Sequence, residues 1–294
     1  MDQQLRPDAG IARPGDGIQP AAGSSGFVEA HGLRLHYLDH GTAGRPAMLC
    51  VHGGAAHAHW FDFVARDFNA DYHVRALDLR GHGDSAWSDP PEYSYEHFAA
   101  DLAAVVEKLE LRDFVLVGHS MGGMASLVYA ATYSGRVGKL VVVDTTMHMD
   151  PKRIASMHEV GARQGSSYAT REEFVTRYRL RPSGTTAAPA IIRHVAANAA
   201  RQADDGSWRH KFDRNIYLQR VSVDGLPYWS RIGIPALLVK GDRSPRITPQ
   251  IFAAVKARCP HAELAEVPHS DHHVTLDNPA GFSHAVKAFL ASRG

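Results

Sequence analysis

The feature that most constrains this chain is a stretch where an apolar run, two closely spaced glycines and a second apolar segment follow without a break. Residues 114–117 are uniformly apolar, as expected of a strand buried on both faces. Gly118, His119, Ser120, Met121 and Gly122 come next, and Met124, Ala125, Leu127, Val128 and Ala130 then recur at helical spacing. A strand that enters a helix through so few residues needs a turn sharp enough to strain its central residue. Gly118 and Gly122 remove the side chains that would collide there. The pattern predicts a strand–turn–helix unit with Ser120 at its tip, at a helix N-terminus where the dipole favours negative charge.

The rest of the sequence supplies a sheet for this unit. Residues 47–51, 140–143 and 236–239 are further apolar runs, 74–77 reads as another short one interrupted by Arg75, and 263–267 reads as a last strand. Leu33, Leu35 and Tyr37 alternate with Arg34 and His36, which suggests a sheet edge. Phe98, Leu102, Val105, Val106 and Leu109 lie on one helical stripe with Glu96, Asp101 and Lys108 off it; Phe282, Val286, Phe289 and Leu290 repeat the spacing. Buried strands alternating with amphipathic helices predict an α/β fold with a doubly wound, mostly parallel sheet. Residues 1–26, rich in Gly and Pro, read as a flexible tail, and 27–146 with 232–294 as the core. Residues 147–231 break the rhythm. They are rich in Arg, Ala and His, show no buried strand, and read as a helical lid over the strand C-termini, where such sheets bind ligands.

Composition narrows the partners. A formal net charge of +1 gives no reason to expect nucleic acid or an anionic membrane. Cys50 and Cys259 are too few for a disulfide framework and form no metal-binding pair. No apolar run has the length of a transmembrane helix. The expectation is a soluble, cytoplasmic protein acting on a small molecule, with no cofactor and no metal; a homodimer is compatible with it.

Two more motifs stand in a telling order. His52-Gly53-Gly54 follows the strand at 47–51, and Asp78-Leu79-Arg80-Gly81-His82-Gly83-Asp84-Ser85 follows that at 74–77. With the Gly118–Gly122 turn after them, the chain from Phe27 onward resembles the α/β-hydrolase superfamily. The resemblance implies that Ser120 is a nucleophile presented by an elbow. It also implies an oxyanion hole formed by the backbone N–H groups of Met121 and Gly54. The Asp78–Ser85 motif is implied to shape a tight turn rather than perform chemistry. His57 and Trp60, on the loop after Gly54, and His119, beside the nucleophile, are expected to contact substrate.

A serine nucleophile needs a base and an orienting acid. The family places its histidine after the last strand, seven residues before a proline that opens the final helix. Pro279 is seven beyond His272, which selects His272 over its neighbour His273. The commonest acid position, three residues after a glycine ending the strand at 236–239, holds Ser244, which carries no charge. Two carboxylates remain open. Asp242 lies in the same turn, and Asp144 ends the preceding strand, as in an esterase subgroup with a Gly-x-x-Ser-Pro turn like Gly241–Pro245. The choice falls on Asp144.

Serine at the elbow disfavours haloalkane dehalogenases and epoxide hydrolases, which resemble this chain but use an aspartate. The implied reaction is hydrolysis of a small carboxylic ester, lactone or thioester; carbon–carbon bond hydrolysis, cofactor-free perhydrolysis and slow-turnover ligand reception share the same machinery. Arg163, Arg171, Arg177, Arg179, Arg181, Arg193 and Arg201 in the lid are consistent with an acidic substrate group or with a solvated face.

Overall fold

A computed structural model describes residues 19–133 and 135–292. Ten strands run in chain order as β1 (Ser24–Ala30), β2 (Leu33–Asp39), β3 (Ala47–Val51), β4 (His73–Leu77), β5 (Phe114–His119), β6 (Val137–Val143), β7 (Ala200–Gln202), β8 (Trp208–His210), β9 (Ala236–Gly241) and β10 (Glu263–Val267). Eight of them form one sheet, ordered β1-β2-β4-β3-β5-β6-β9-β10, while β7 and β8 make a separate two-stranded sheet. β1 pairs with β2, and β2 with β4, antiparallel. Every other pairing in the large sheet is parallel.

The apolar runs divide by alternation between two cores. Leu49, Val51, Leu116, Leu140, Val142 and Leu238 face one side. Met48, Cys50, Val117, Val141, Val143 and Val239 face the other. Among the described residues, eleven α-helices follow: α1 (Asp62–Phe68), α2 (Tyr95–Lys108), α3 (Met121–Thr132), α4 (Pro151–Ala162), α5 (Arg171–Arg177), α6 (Pro189–Asn198), α7 (Asn215–Leu218), α8 (Leu226–Trp229), α9 (Pro249–Arg258), α10 (Val274–Asp277) and α11 (Pro279–Ala291). Phe98 and Leu102 of α2, Leu127 of α3 and Val255 of α9 cover the first core. Val64 and Phe68 of α1, with Phe282, Val286 and Phe289 of α11, cover the second. The sheet is doubly wound.

Three features differ from the sequence reading. Of the expected tail, residues 1–18 lie outside the described residues, and 24–26 already belong to β1. Two of the first three β1 residues are serine, which carries little strand signal, but all seven pair with β2. Asp101 is fully buried rather than on the wet face of α2, because Arg80 reaches it with Nε and Nη2, both at 2.6 Å. Between β6 and β9 the chain forms α4 to α8 and also the β7–β8 hairpin, whose three-residue strands are too short for periodicity to reveal. This segment has its own core, where Phe174, Tyr178, Ile191 and Val195 pack on Trp60 and Phe63. Among the described residues no helix is long and apolar enough to cross a membrane.

Candidate active site

β5 delivers Ser120 to the C-terminal edge of the sheet with φ 53° and ψ −114°, a left-handed conformation that costs a non-glycine residue on the order of 1–3 kcal/mol. The surroundings hold it there. Ser120 N–H donates to the Val143 carbonyl at 2.8 Å, and Thr145 Oγ1 donates to the Ser120 carbonyl at 3.1 Å. A Cβ on Gly118 would lie 2.5 Å from the Gly122 carbonyl oxygen, and one on Gly122 would lie 2.3 Å from that of His52. The sharp turn therefore exists only with glycine at both positions.

Ser120 opens into a cavity of about 470 Å³ that is also lined by Gly54, Met121 and His272. Met121 is the first residue of α3, so its N–H has no acceptor within the helix. Gly54 faces it across the cavity wall, where a Cβ would stand 3.7 Å from Met121 Sδ, an ordinary contact. The loop bearing Gly54 is fixed from behind. His52 Nδ1 donates to the Gly53 carbonyl at 2.7 Å, and its Nε2 accepts the Leu79 N–H at 3.0 Å. Asp78 accepts the N–H of Ala58 at 2.6 Å and that of Asp84 at 2.9 Å, joining the two glycine-bearing motifs.

His272 lies in the loop after β10, and its Nδ1 donates to Asp144 Oδ2 at 2.6 Å. Asp144 leaves β6 with φ 42° and has no exposed surface. The same Oδ2 accepts the Ser244 hydroxyl at 2.7 Å and has Arg246 Nε 3.4 Å away. Burial raises the Asp144 carboxyl above its usual range, opposed by Ser244 and then Arg246. Burial holds His272 well below the ordinary histidine value, and the charge of Arg246 adds to the effect. The imidazole is thus neutral, with Nδ1 donating and Nε2 left as the basic nitrogen. Asp242 is exposed and caps the Ser270 N–H at 2.9 Å. His273 donates Nε2 to the Pro182 carbonyl at 2.7 Å.

The three residues expected to contact substrate separate. Trp60 lines an adjoining cavity of about 380 Å³ that shares Gly54, Arg179, Arg181 and Tyr217 with the first. His57 and His119 line neither cavity. His57 is turned inward to donate Nε2 to the Val195 carbonyl at 2.9 Å, and burial lowers it to about 3. His119 lies behind the serine, buried, and donates Nε2 to the His272 carbonyl at 2.8 Å. Alternation along β5 explains it, since neighbours of an outward residue face inward.

The sequence reading also missed Ser244 and Arg246 as partners of Asp144, and Arg153 and Arg220 in the cavity wall. Among the described residues, three clusters that contain histidine have ligand atoms close enough for a metal, and in that of His36, Asp78 and Asp84 the Asp78 Oδ2 accepts from His36 Nδ1 at 2.7 Å and from the Asp84 N–H at 2.9 Å. In one, His119, His272 and His273 are engaged as described above. In a further one, Asp62 Oδ2 accepts from His59 at 2.8 Å and His194 at 2.7 Å, tying α6 to the core.

Sheet order, elbow and flanking loops define an α/β hydrolase, and the chain belongs to that family, whose fold matches residues 46–279. Among its relatives is an esterase of Mycobacterium tuberculosis, 29% identical over 259 residues, covering 84% of each chain. The N-formylmaleamate deformylase of Pseudomonas putida is 28% identical over 281 residues, covering 91% of this chain and 96% of its own. In fold, the chain is similar to the crystal structure of E-2-(acetamidomethylene)succinate hydrolase, with a TM-score of 0.80 at 23% identity, covering 92% of this chain and 100% of that one.

Proposed function

We propose that this protein is a serine hydrolase that cleaves a small carboxylic ester, or a related lactone or thioester, through an acyl-enzyme on Ser120. One observation carries the reading: Ser120 and His272 share a cavity, and the far nitrogen of His272 is hydrogen-bonded to a fully buried carboxylate, Asp144. Relatives named esterases or hydrolases support it.

In this mechanism His272 Nε2 takes the Ser120 proton as Oγ attacks the carbonyl carbon. The oxygen becomes an oxyanion held by the N–H groups of Met121 and Gly54. Asp144 keeps the proton on Nδ1 and stabilises the imidazolium, which then protonates the leaving alcohol or thiol. Water, activated by the same nitrogen, hydrolyses the acyl-enzyme. Helices α4 to α8 act as the lid over this reaction and exclude bulk water.

A short-chain aryl ester tests the proposal. Wild-type protein should complete many cycles per Ser120, Ser120→Ala should complete none while keeping its circular dichroism spectrum, and a fluorophosphonate should label Ser120. Turnover by Ser120→Ala removes the nucleophile from the reading. A single burst followed by a stall assigns the site to ligand reception instead.

A further inference from the structure

Arg220 is a buried cation that no anion among the described residues meets. It follows α7 and is 5% exposed, in the wall of the cavity that holds Ser120 and His272. Its Nε has no hydrogen-bond partner, and its Nη2 rests on Met121 Sδ, a thioether and a weak acceptor. The Tyr95 ring centroid is 5.1 Å from its Cζ. No carboxylate among the described residues pairs with Arg220, and no aspartate or glutamate lines the cavity. A guanidinium kept from water without a counter-charge is costly, and proteins retain such groups where a ligand supplies the charge.

Its position says where that charge would sit. Arg220 Nη2 is 3.9 Å from the point a side chain on Gly54 would occupy, beside the proposed oxyanion hole. Arg153 of α4 lines the same cavity and makes no ion pair among the described residues. Desolvation and then the charge of Arg220 lower the Arg153 guanidinium from its usual value, so the two act on one volume. A planar anion suits such a pair, because an arginine fork matches it with two parallel hydrogen bonds.

We propose that Arg220, assisted by Arg153, binds a carboxylate lying a few atoms from the scissile carbonyl, so that the substrate class is the half-esters of dicarboxylic acids and their close relatives. The proposal rests on the reading of Ser120 as the nucleophile, and its test separates the two.

The probes are monoethyl fumarate, whose trans geometry stops its own carboxylate from attacking the ester, and ethyl (E)-4-methylpent-2-enoate, in which an isopropyl group replaces the carboxylate. Titrated calorimetrically into Ser120→Ala protein, the carboxylated ester should bind at least about tenfold more tightly than the neutral one. Adding Arg220→Met should lower the ratio at least about threefold, and Arg220→Met with Arg153→Met should bring it to about one, whereas Arg220→Lys, which keeps the charge but not the fork, should keep more of it than Arg220→Met. Equal binding of the two probes by Ser120→Ala, or an unchanged ratio after Arg220→Met in protein with an intact circular dichroism spectrum, overturns the proposal. If carboxylate binding holds while wild-type protein turns over no ester, the anion site stands and the hydrolase reading falls. If Arg220→Met in otherwise wild-type protein slows both esters by the same factor, Arg220 is an oxyanion donor and not a carboxylate site.

Discussion

Ser244 donates its hydroxyl to Asp144 at 2.7 Å, on the same carboxylate oxygen that accepts from His272 at 2.6 Å. Position 244 is where the family resemblance looks for an acid. The residue found there supports a carboxylate arriving from the neighbouring strand, since β6 and β9 pair directly. The imidazole thus meets a carboxylate at that point in space, from a different point in the sequence.

On that geometry, Asp144→Asn is expected to lower kcat/KM for an aryl ester by about 10⁴, because an amide leaves the imidazole in the wrong tautomer. Asp242→Asn should stay within about twofold, its carboxylate being spent on the Ser270 N–H. Steady-state rates of the two variants check this, and the reverse order would make Asp242 the acid.

The acid should also be movable. Asp144→Ser combined with Ser244→Asp restores a carboxylate from β9, and the pair should recover at least about tenfold over Asp144→Ser alone. No recovery would mean that the carboxylate must approach from β6.

Burial of neutral histidines sets the pH response. His272 is held well below 6.5, so the acid limb of kcat/KM should fall below pH 6.5, followed on a short-chain ester. Stability has a definite sign. His57 drops from 6.5 to about 3 on folding, so between those values the unfolded chain binds a proton that the folded one refuses. Its stabilisation is present above pH 6.5 and is lost as pH falls through that window, by about 1.4 kcal/mol per pH unit. Burial lowers His52, His82 and His119 in the same direction. Urea midpoints should decline steadily from about pH 7 to about pH 5; a flat profile would mean that these rings are charged in the folded protein.

Breaking the Arg80–Asp101 pair from one side should be costly. Arg80→Met or Asp101→Asn strands a buried partner and should lose about 3–5 kcal/mol, while Arg80→Met with Asp101→Leu should lose less than either. Denaturant unfolding of the three variants measures the difference.

The runs at 47–51, 114–117, 140–143 and 236–239 were legible because a strand covered on both faces must be continuously apolar. β1 was not, since its serines and Gly26 gain their order only by pairing with β2. At the site, the turn around Ser120 was written in glycine spacing, and Asp144 in the departure at Ser244. His57 and His119 were misplaced because sequence adjacency to a pocket says nothing about which way a ring turns. Arg220 and Arg153 gave no signal at all. An arginine in a short helix, or just after one, has the same local pattern whether it faces water or a cavity, and only the packing of α7 against α4 decides.

The bond from His119 Nε2 to the His272 carbonyl has a mechanical meaning. It clasps the backbone that carries the ring of His272 to the residue next to Ser120, so the reach between the two is gauged from inside the sheet. Base and nucleophile thus hang from one peg, and a change at position 119 would reach both together.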